Sequence, residues 1–539
     1  MSQDVPTRGA LPTVRRLILY ILLFVLVAIA ATGVSQLLGL IITPASDSAS
    51  GRTSDLALAL AFALIAGPLA VVLWRMLAKR LLDPAESAAP AWGLYMAAMY
   101  VTALITASIA LFSLLGNAAL GHGYGWQSKL STGLIWAAVW WWQVRIFHDT
   151  RRSPHHLPNL SGIISSWYGL ALATVAMLTA LTELFSAVVD RLFPHTSIGA
   201  PWWSEVLSQL PWILGGLLLW WWHWNGQRVA KLRGGFSEVA FILMGILAAG
   251  ALMLGGTGYL LYSVSRLLWH QPSAQLLQPV PLALAAALVG SLIFTFSWSA
   301  LNQRSAETKN AGRLVVSGLG LAAGASGLGV CVNALLAALV PPLAGDRGAD
   351  LLLAGVVWLL LGAGLWVWAW QPGKQMDPHD RRVYLVVVFG LSAVVALVAL
   401  LIIGFKIFTF LLESNGVFSG LIDSIRAPFG LLVATALVSI YHFVIWRADR
   451  EVLETVSSPR SKGLAEIVLV SGGDSQQLRT VLTQVTGAKV QVLPRAGDGF
   501  GATADELQAA IDSIPEGSSR IMLLVEGPGS IRVIELASV

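Results

Sequence analysis

Charged residues are scarce in this 539-residue chain: Asp, Glu, Lys and Arg together make up 12% of it, about half the share found in soluble domains. With 56% hydrophobic residues and a mean hydropathy of +0.71, the composition excludes an ordinary soluble protein and indicates a membrane protein. The formal net charge of +5 does not indicate nucleic-acid binding, because the cations cluster at the ends of apolar runs, where they anchor membrane helices. We therefore expect the lipid bilayer as a partner and no nucleic acid.

Cysteine and the common catalytic motifs are also lacking. The one cysteine, Cys331, lies inside an apolar run, so an intrachain disulfide framework is excluded. The sequence contains no GxxxxGK[ST] or GxGxxG motif, no paired carboxylates and no nucleophile elbow. His148, His155 and His156 share one loop, but their spacing matches no common zinc pattern. These absences predict a protein that is not an enzyme and has no cofactor and no metal site.

What the chain has instead is twelve apolar runs long enough to cross a bilayer, which must be helices because irregular backbone cannot face lipid. Their approximate bounds are 17–42, 56–76, 93–115, 130–148, 163–189, 208–224, 239–264, 281–300, 314–340, 351–370, 383–412 and 428–446. The first run follows Arg8, Arg15 and Arg16 and is about twice as long as the core of a signal peptide. We interpret it as a retained first span.

The twelve runs form pairs, because the second run of each pair ends in related aromatic and basic residues. These endings are LWRMLAKR at 73–80, WWWQVR at 140–145, WWWHWNGQR at 220–228, FSWSALNQR at 296–304, WVWAWQPGK at 366–374 and FVIWRADR at 443–450. Such recurrence is typical of an internal repeat. The sequence thus predicts an all-α polytopic membrane protein of about twelve transmembrane helices in six hairpin repeats.

The distribution of cations predicts the orientation. Twenty Lys and Arg residues lie in the N-terminal tail and after the even runs, against six after the odd runs. This positive-inside bias predicts a multi-pass protein of a bacterial cytoplasmic membrane with both termini cytoplasmic. The Trp blocks would then form the cytoplasmic aromatic belt, and His223 and His442 would be interfacial residues in or beside it.

The composition changes after Arg450. We predict a cytoplasmic tail at 1–15, a transmembrane domain at 16–450, a linker at 451–462 and a small cytosolic α/β domain at 463–539. Strands are expected at 466–470 and 489–493, and a closing hairpin at 520–526 and 530–536. Between them a helix over 503–514 begins with Thr503 and Glu506 spaced as a capping box. This domain is expected to bind a cytosolic protein or a small-molecule ligand.

A set of polar residues recurs late in the first run of each pair and is the main candidate site. It consists of Gln36, Ser113, Glu183, Tyr259, Asn333 and Lys406. Ionisable groups inside a membrane are functional candidates, so this column could be a substrate or ion site. The alternative is a ring of interfacial polar residues whose long side chains reach the membrane surface. Glu183 and Lys406 have opposite charges and similar depth, so we predict that they pair.

Two glycine-containing segments carry further predictions. The segment SGLGLAAGASGLG at 317–329 indicates a close helix-packing face, because small residues let membrane helices approach. Ser471, Gly472 and Gly473 precede a predicted helix, so their backbone N–H groups could bind an anion. Asp474 would already place negative charge there, and a plain turn remains the alternative.

The endings with LLWWWHWNGQR and the hairpins they close resemble an uncharacterised family of bacterial polytopic membrane proteins, a domain of unknown function built of repeated helical hairpins. The resemblance implies a topology and no activity. We therefore expect a non-enzymatic scaffold or sensor with a cytosolic ligand- or partner-binding domain. The alternative is a transporter or channel for a small or lipid-like substrate, although the middle of the predicted spans is almost free of ionisable residues.

The predicted orientation is testable with fused reporters. A reporter after Val539 should be cytoplasmic, whereas reporters placed in 43–55, 116–129 and 341–350 should be external, because the cation bias puts those loops on the opposite side. Enzymatic reporters active on only one side of the membrane measure this directly. An external C-terminal reporter would require an odd number of spans and would contradict the hairpin arrangement.

Overall fold

A computed structural model shows the fold of the chain. It describes residues 10–43, 52–121, 123, 125–192, 201–268, 270–339, 348–373, 378–412, 418–457, 466–471, 478–479, 482–483, 486, 488–494, 503–514, 518–527 and 530–536.

All twelve predicted spans form helices. The elements of the helical part are α1 (Ala10–Ile42), α2 (Arg52–Ala61), α3 (Gly67–Arg80), α4 (Pro84–Ser87), α5 (Pro90–Ala119), α6 (Trp126–His148), α7 (Leu160–Leu192), α8 (Trp202–Trp221), α9 (Gly235–Ala240), α10 (Ala249–Arg266), α11 (Ala274–Leu277), α12 (Val280–Leu301), α13 (Ala306–Ala337), α14 (Gly348–Gly373), α15 (Pro378–Leu412) and α16 (Phe418–Ser457). Ten helices among the described residues are long and apolar enough to cross a membrane, which confirms the polytopic helical class. The helices α6 and α8 are not among the ten, because Trp and polar residues lower their hydropathy.

Three spans contain a wider π-helical turn that the apolar pattern did not indicate: Phe62–Ala66 between α2 and α3, Trp222–Gly226 after α8, and Phe241–Ala248 between α9 and α10. The first has a visible cause. Pro68 lies in the first turn of α3, where its ring lacks an N–H and collides with the carbonyl four residues earlier. A π turn just before it accommodates that defect without ending the span.

Consecutive helices pack as antiparallel hairpins through small residues, as the segment 317–329 predicts. A Cβ added at Gly320 of α13 would lie 2.6 Å from the backbone nitrogen of Trp366, and one at Gly324 would lie 3.0 Å from that of Ala363. On the opposite face of this contact, a Cβ at Gly362 of α14 would overlap the backbone of Gly324. The glycines therefore set the distance between the two helices.

We call the end of each hairpin that carries the Trp-rich ending the inner end, and the opposite end the outer end. Several arginines at the inner end, which the sequence indicates as membrane anchors, form ion pairs with carboxylates of other segments. Arg304, with a side chain 2% exposed, lies 3.1 Å from Glu238 and 4.5 Å from the ring centroid of Phe241. Burial lowers the pKa of Arg304 from its ordinary value, and the carboxylate of Glu238 opposes that change. The sequence pattern did not indicate this internal pairing.

The Trp-rich endings contribute to the core as well as to the surface. Trp224 and Trp370 are buried, whereas Trp221 and Trp368 are more than half exposed. The buried tryptophans therefore do not fit the aromatic belt expected from the sequence, whereas the exposed ones remain available for it. His223 and His442, expected at the interface, are 0% exposed, because each lies on the side of its helix that faces the protein.

The C-terminal segment has the predicted α/β arrangement. Its elements are β1 (Glu466–Ser471), β2 (Lys489–Pro494), α17 (Ala504–Asp512), β3 (Arg520–Gly527) and β4 (Ser530–Glu535). The strand order is β2-β1-β3-β4, with β1 parallel to both neighbours and β3 antiparallel to β4. Thr503 and Glu506 form the predicted capping box, with N–H to side-chain distances of 3.4 and 2.8 Å. Ile467 of β1, Leu523 of β3 and Leu507 of α17 belong to one hydrophobic core.

The helix α16 continues through Ser457, into the predicted linker 451–462. The residues Glu451–Val456 include good helix formers and no Gly or Pro, so nothing ends the helix at Arg450. By contacts, the chain divides into one unit of residues 1–375 and 398–434 and another of residues 376–397 and 435–539.

The glycine contact between α13 and α14 gives a matched pair of substitutions. Gly362→Ala places a methyl group on the backbone of Gly324, which cannot move away as a flexible side chain would. Gly364, two residues along the same helix, has nothing within 4 Å of an added Cβ. We expect Gly362→Ala to lower the free energy of unfolding by about 3 kcal/mol and Gly364→Ala to be neutral or slightly stabilising. Thermal unfolding in detergent measures both, and equal effects would show that the glycines do not control helix packing.

Candidate functional site

The candidate site lies where α1, α2–α3 and α6 meet. Two glycines of α1 fix how closely the helices approach. A Cβ added at Gly33 would lie 2.6 Å from the Cβ atom of Phe62, in the π turn, and one at Gly39 would lie 3.1 Å from Oγ of Ser131 on α6. Between and beside these contacts the three segments leave two cavities, and we call the region that contains both the seam.

The inner cavity of the seam is an apolar groove of about 490 Å³, within the usual range of small-molecule sites. All of its lining residues are apolar or aromatic: Val27, Ala30, Ala31, Val34, Gly67, Ala70, Val71, Trp74, Ile135, Ala138, Val139 and Trp142. The rings of Trp74 and Trp142 meet edge to face at 4.9 Å at its inner end. Val34 and Val71 remain 40% and 49% exposed on its rim. The groove is therefore open to the side, where hydrocarbon would surround a membrane protein.

The outer cavity of the seam is a polar pocket of about 380 Å³. It is lined by Ser35, Gln36, Gly39, Leu40, Thr43, Asp55, Leu58, Ser128, Ser131 and Thr132. Three of its hydroxyl groups donate to backbone carbonyls of their own helices: Ser35 to Ala31 at 2.7 Å, Thr43 to Gly39 at 2.7 Å, and Ser131 to Ser128 at 3.0 Å. The oxygen lone pairs of Ser35 and Ser131 can accept hydrogen bonds from a ligand.

The groove and the pocket follow each other along the same helices. On α1 the lining of the groove ends at Val34 and that of the pocket begins at Ser35, and on α6 the change falls between Thr132 and Ile135. From Val27 to Thr43 the seam extends about 24 Å along α1 at the rise of an α-helix. One side of the protein thus offers an apolar cavity followed by a polar one, which is the shape of a binding site for an amphiphile.

Of the predicted polar column, Gln36 alone lines either cavity of the seam. Ser113 lies half-buried on α5, Tyr259 is 44% exposed on α10, and the amide oxygen of Asn333 on α13 is buried without a hydrogen-bond partner among the described atoms. Each member occupies a different helix, because the column was aligned along the chain and not around the helix axes.

The predicted pairing of Glu183 with Lys406 is not formed, since no ion pair joins these two described side chains. Lys406 is exposed on α15, and Glu183 is half-buried on α7. The similar depth expected for the two residues therefore does not place their side chains on facing sides.

The predicted anion-binding turn falls largely outside the described residues. Ser471 is the last residue of β1 and is buried, while Gly472 and Gly473 belong to the part that the structure does not describe.

The structure also reveals buried polar residues inside the aromatic endings, of which the sequence indicated His223 and His442 only as interfacial residues and did not indicate Gln143 or Ser297. Gln143, His223, Ser297 and His442 each follow an aromatic residue near the inner end and are all 0% exposed. The hydroxyl of Tyr100 donates to Nε2 of His223 at 3.0 Å, while Nδ1–H of His223 donates to the carbonyl of Leu219 at 2.7 Å. This bonded histidine joins α5 to the end of α8. The sequence feature that could have indicated these residues is a polar residue that recurs within the Trp blocks.

A family model matches the helices that form the seam. For the first two hairpins it confirms the resemblance of the Trp-rich hairpins to a family of unknown function. No curated protein and no solved structure matches the chain. Residues 16–142 match the model of a domain of unknown function, DUF5671, and the match contains every residue that lines the groove and the pocket of the seam.

Proposed function

We propose that this chain is a non-enzymatic membrane sensor or scaffold that binds one membrane amphiphile in the seam between α1, α2–α3 and α6. The observation that carries the proposal is the direct succession of an apolar groove of about 490 Å³ and a polar pocket of about 380 Å³ along the same helices. The tail of an amphiphile would lie in the groove against Trp74 and Trp142, and its head group would reach the pocket beside Gln36 and Asp55.

The lining of the groove favours a flexible hydrocarbon chain over a polar small molecule. No polar side chain other than the indole groups of Trp74 and Trp142 lines it, so a polar ligand would lose its hydrogen bonds to water without replacement. A hydrocarbon chain loses nothing on leaving surrounding lipid, and binding then depends on shape and on the head group. Membrane lipids are present at high concentration around the open rim and need no aqueous path.

The C-terminal α/β domain is proposed as the part that binds a cytosolic protein or small-molecule ligand. Its central strand β1 has parallel neighbours on both sides, with the chain crossing from β2 over β1 to β3. In parallel α/β sheets, ligands bind beyond the carboxyl ends of the strands at such a reversal of strand order. Ser471 ends β1 at that edge, and the remainder of the turn lies outside the described residues.

A transporter for a lipid-like substrate is the second candidate, and the length of the seam favours it. About 24 Å of groove and pocket would accompany a lipid across most of the roughly 30 Å of hydrocarbon. Reconstituted vesicles separate the candidates. A transporter moves a labelled lipid between the leaflets faster than protein-free vesicles do, whereas a sensor or scaffold leaves that rate unchanged.

Photo-crosslinking tests binding in the seam. A phospholipid with a diazirine in the middle of one acyl chain should label peptides of α1, α3 and α6 preferentially in reconstituted protein. Ala138→Trp should abolish this preference, because Ala138 is exposed on the groove wall and an indole there would occupy the groove. Peptide mapping by mass spectrometry measures the label.

Ala171→Trp is the matched control, since Ala171 is also an exposed alanine, lies on α7 and lines neither cavity of the seam. It should leave the labelling pattern unchanged. Uniform labelling of all lipid-facing helices, insensitive to Ala138→Trp, would contradict the proposal.

A further inference from the structure

The apolar groove of the seam has the same length on all three of its walls. Its lining extends over residues 27–34 on α1, 67–74 on α3 and 135–142 on α6. Each of these ranges is about 10 Å long at the rise of an α-helix. An acyl chain that reaches from its head group to the middle of a bilayer spans about 15 Å, half of the hydrocarbon thickness. The groove is therefore shorter than an ordinary membrane acyl chain.

Protein closes the inner end of the groove. One turn further inward on each wall, the side chain that follows the lining is buried: Leu23 on α1, Leu77 on α3 and Ile146 on α6. These three residues belong to one hydrophobic core. The space that is open between the helices along the groove is therefore filled beyond its inner end.

Two indole rings form the closed end, and we call this pair the floor of the groove. Trp74 and Trp142 meet edge to face at 4.9 Å, and the ring of Trp92 stacks on that of Trp74 at 6.4 Å. Trp92 is fully buried, and its Nε1–H donates to the carbonyl of Arg152 at 2.9 Å. Because the core supports Trp74 from behind in this way, a longer chain would have to displace the stack or bend out over the open rim.

We infer that the seam selects its amphiphile by tail length, so that its ligand has a tail shorter than an ordinary membrane acyl chain. The inference rests on the proposed binding of an amphiphile with its tail in the groove and its head group in the pocket. A short tail ends at the floor while its head group reaches the pocket. A longer tail bends out through the rim, which orders further torsions of the chain and costs conformational entropy.

The experiment uses the full chain in nanodiscs and a set of phospholipids with one common head group. All carry a palmitoyl chain at one position, and the other chain is decanoyl, myristoyl or palmitoyl. Each lipid competes at equal mole fraction with the diazirine phospholipid for labelling of α1, α3 and α6. We expect the decanoyl lipid to compete about threefold better than the dipalmitoyl lipid, because the longer chain has more torsions to order. The myristoyl lipid should lie between them.

Substitutions in the floor test its role as the stop. Trp142→Ala adds the space of an indole ring at the closed end, so it should shift the preference toward the palmitoyl chain. Trp74→Ala should do the same from the facing wall and serves as the second variant if the first folds poorly. Trp141→Ala is the matched control, because Trp141 is the adjacent residue on α6, is exposed and lines neither cavity of the seam. It should keep the native preference.

A purely structural role for the floor makes a different prediction. In that case Trp142→Ala and Trp74→Ala would lower the melting temperature and leave the relative competition by the three lipids unchanged. That result, or equal competition by all chain lengths in the native chain, would overturn the selection by tail length and leave binding in the seam standing. A native chain whose seam is not labelled at all would overturn the proposed function instead.

Discussion

Close approach of helix backbones is the interaction on which this structure depends. In a bilayer, helices gain no hydrophobic energy by leaving lipid for each other, so association relies on tight packing of small residues. The contact of α13 with α14 shows this directly, since Gly324 and Gly362 leave no space for a Cβ between the helices. The backbone geometry of the hairpin follows from those residues.

The seam is the place where small residues occur without a helix to fill the space. Ala30, Ala31, Gly67, Ala70 and Ala138 line the groove, and next to them Gly33 of α1 contacts Phe62 in the π turn. Pro68 explains why a π turn occurs there. The same type of residue thus packs a hairpin in one part of the chain and leaves a cavity in another. A cavity open to hydrocarbon is filled by lipid unless the protein fills it.

Much of this architecture could be predicted from the sequence, because each helix must bury its own backbone hydrogen bonds and so requires a long apolar run. The strands and the capping box could be predicted for similar local reasons. Rotation of each helix about its axis was not readable, which is why Gln36 reaches the pocket while Glu183 and Lys406 do not meet. The π turns add to this difficulty, since each changes the face that the following residues present.

The groove itself could not be predicted, because it depends on three segments that are distant in sequence. Density for bound lipid in a cryo-electron microscopy map of the full chain in nanodiscs tests the central claim most directly. The account predicts one continuous density that runs from the contact of Trp74 with Trp142 to the pocket beside Asp55. A seam closed by repacked side chains, with lipid density no stronger there than around other helices, would contradict it.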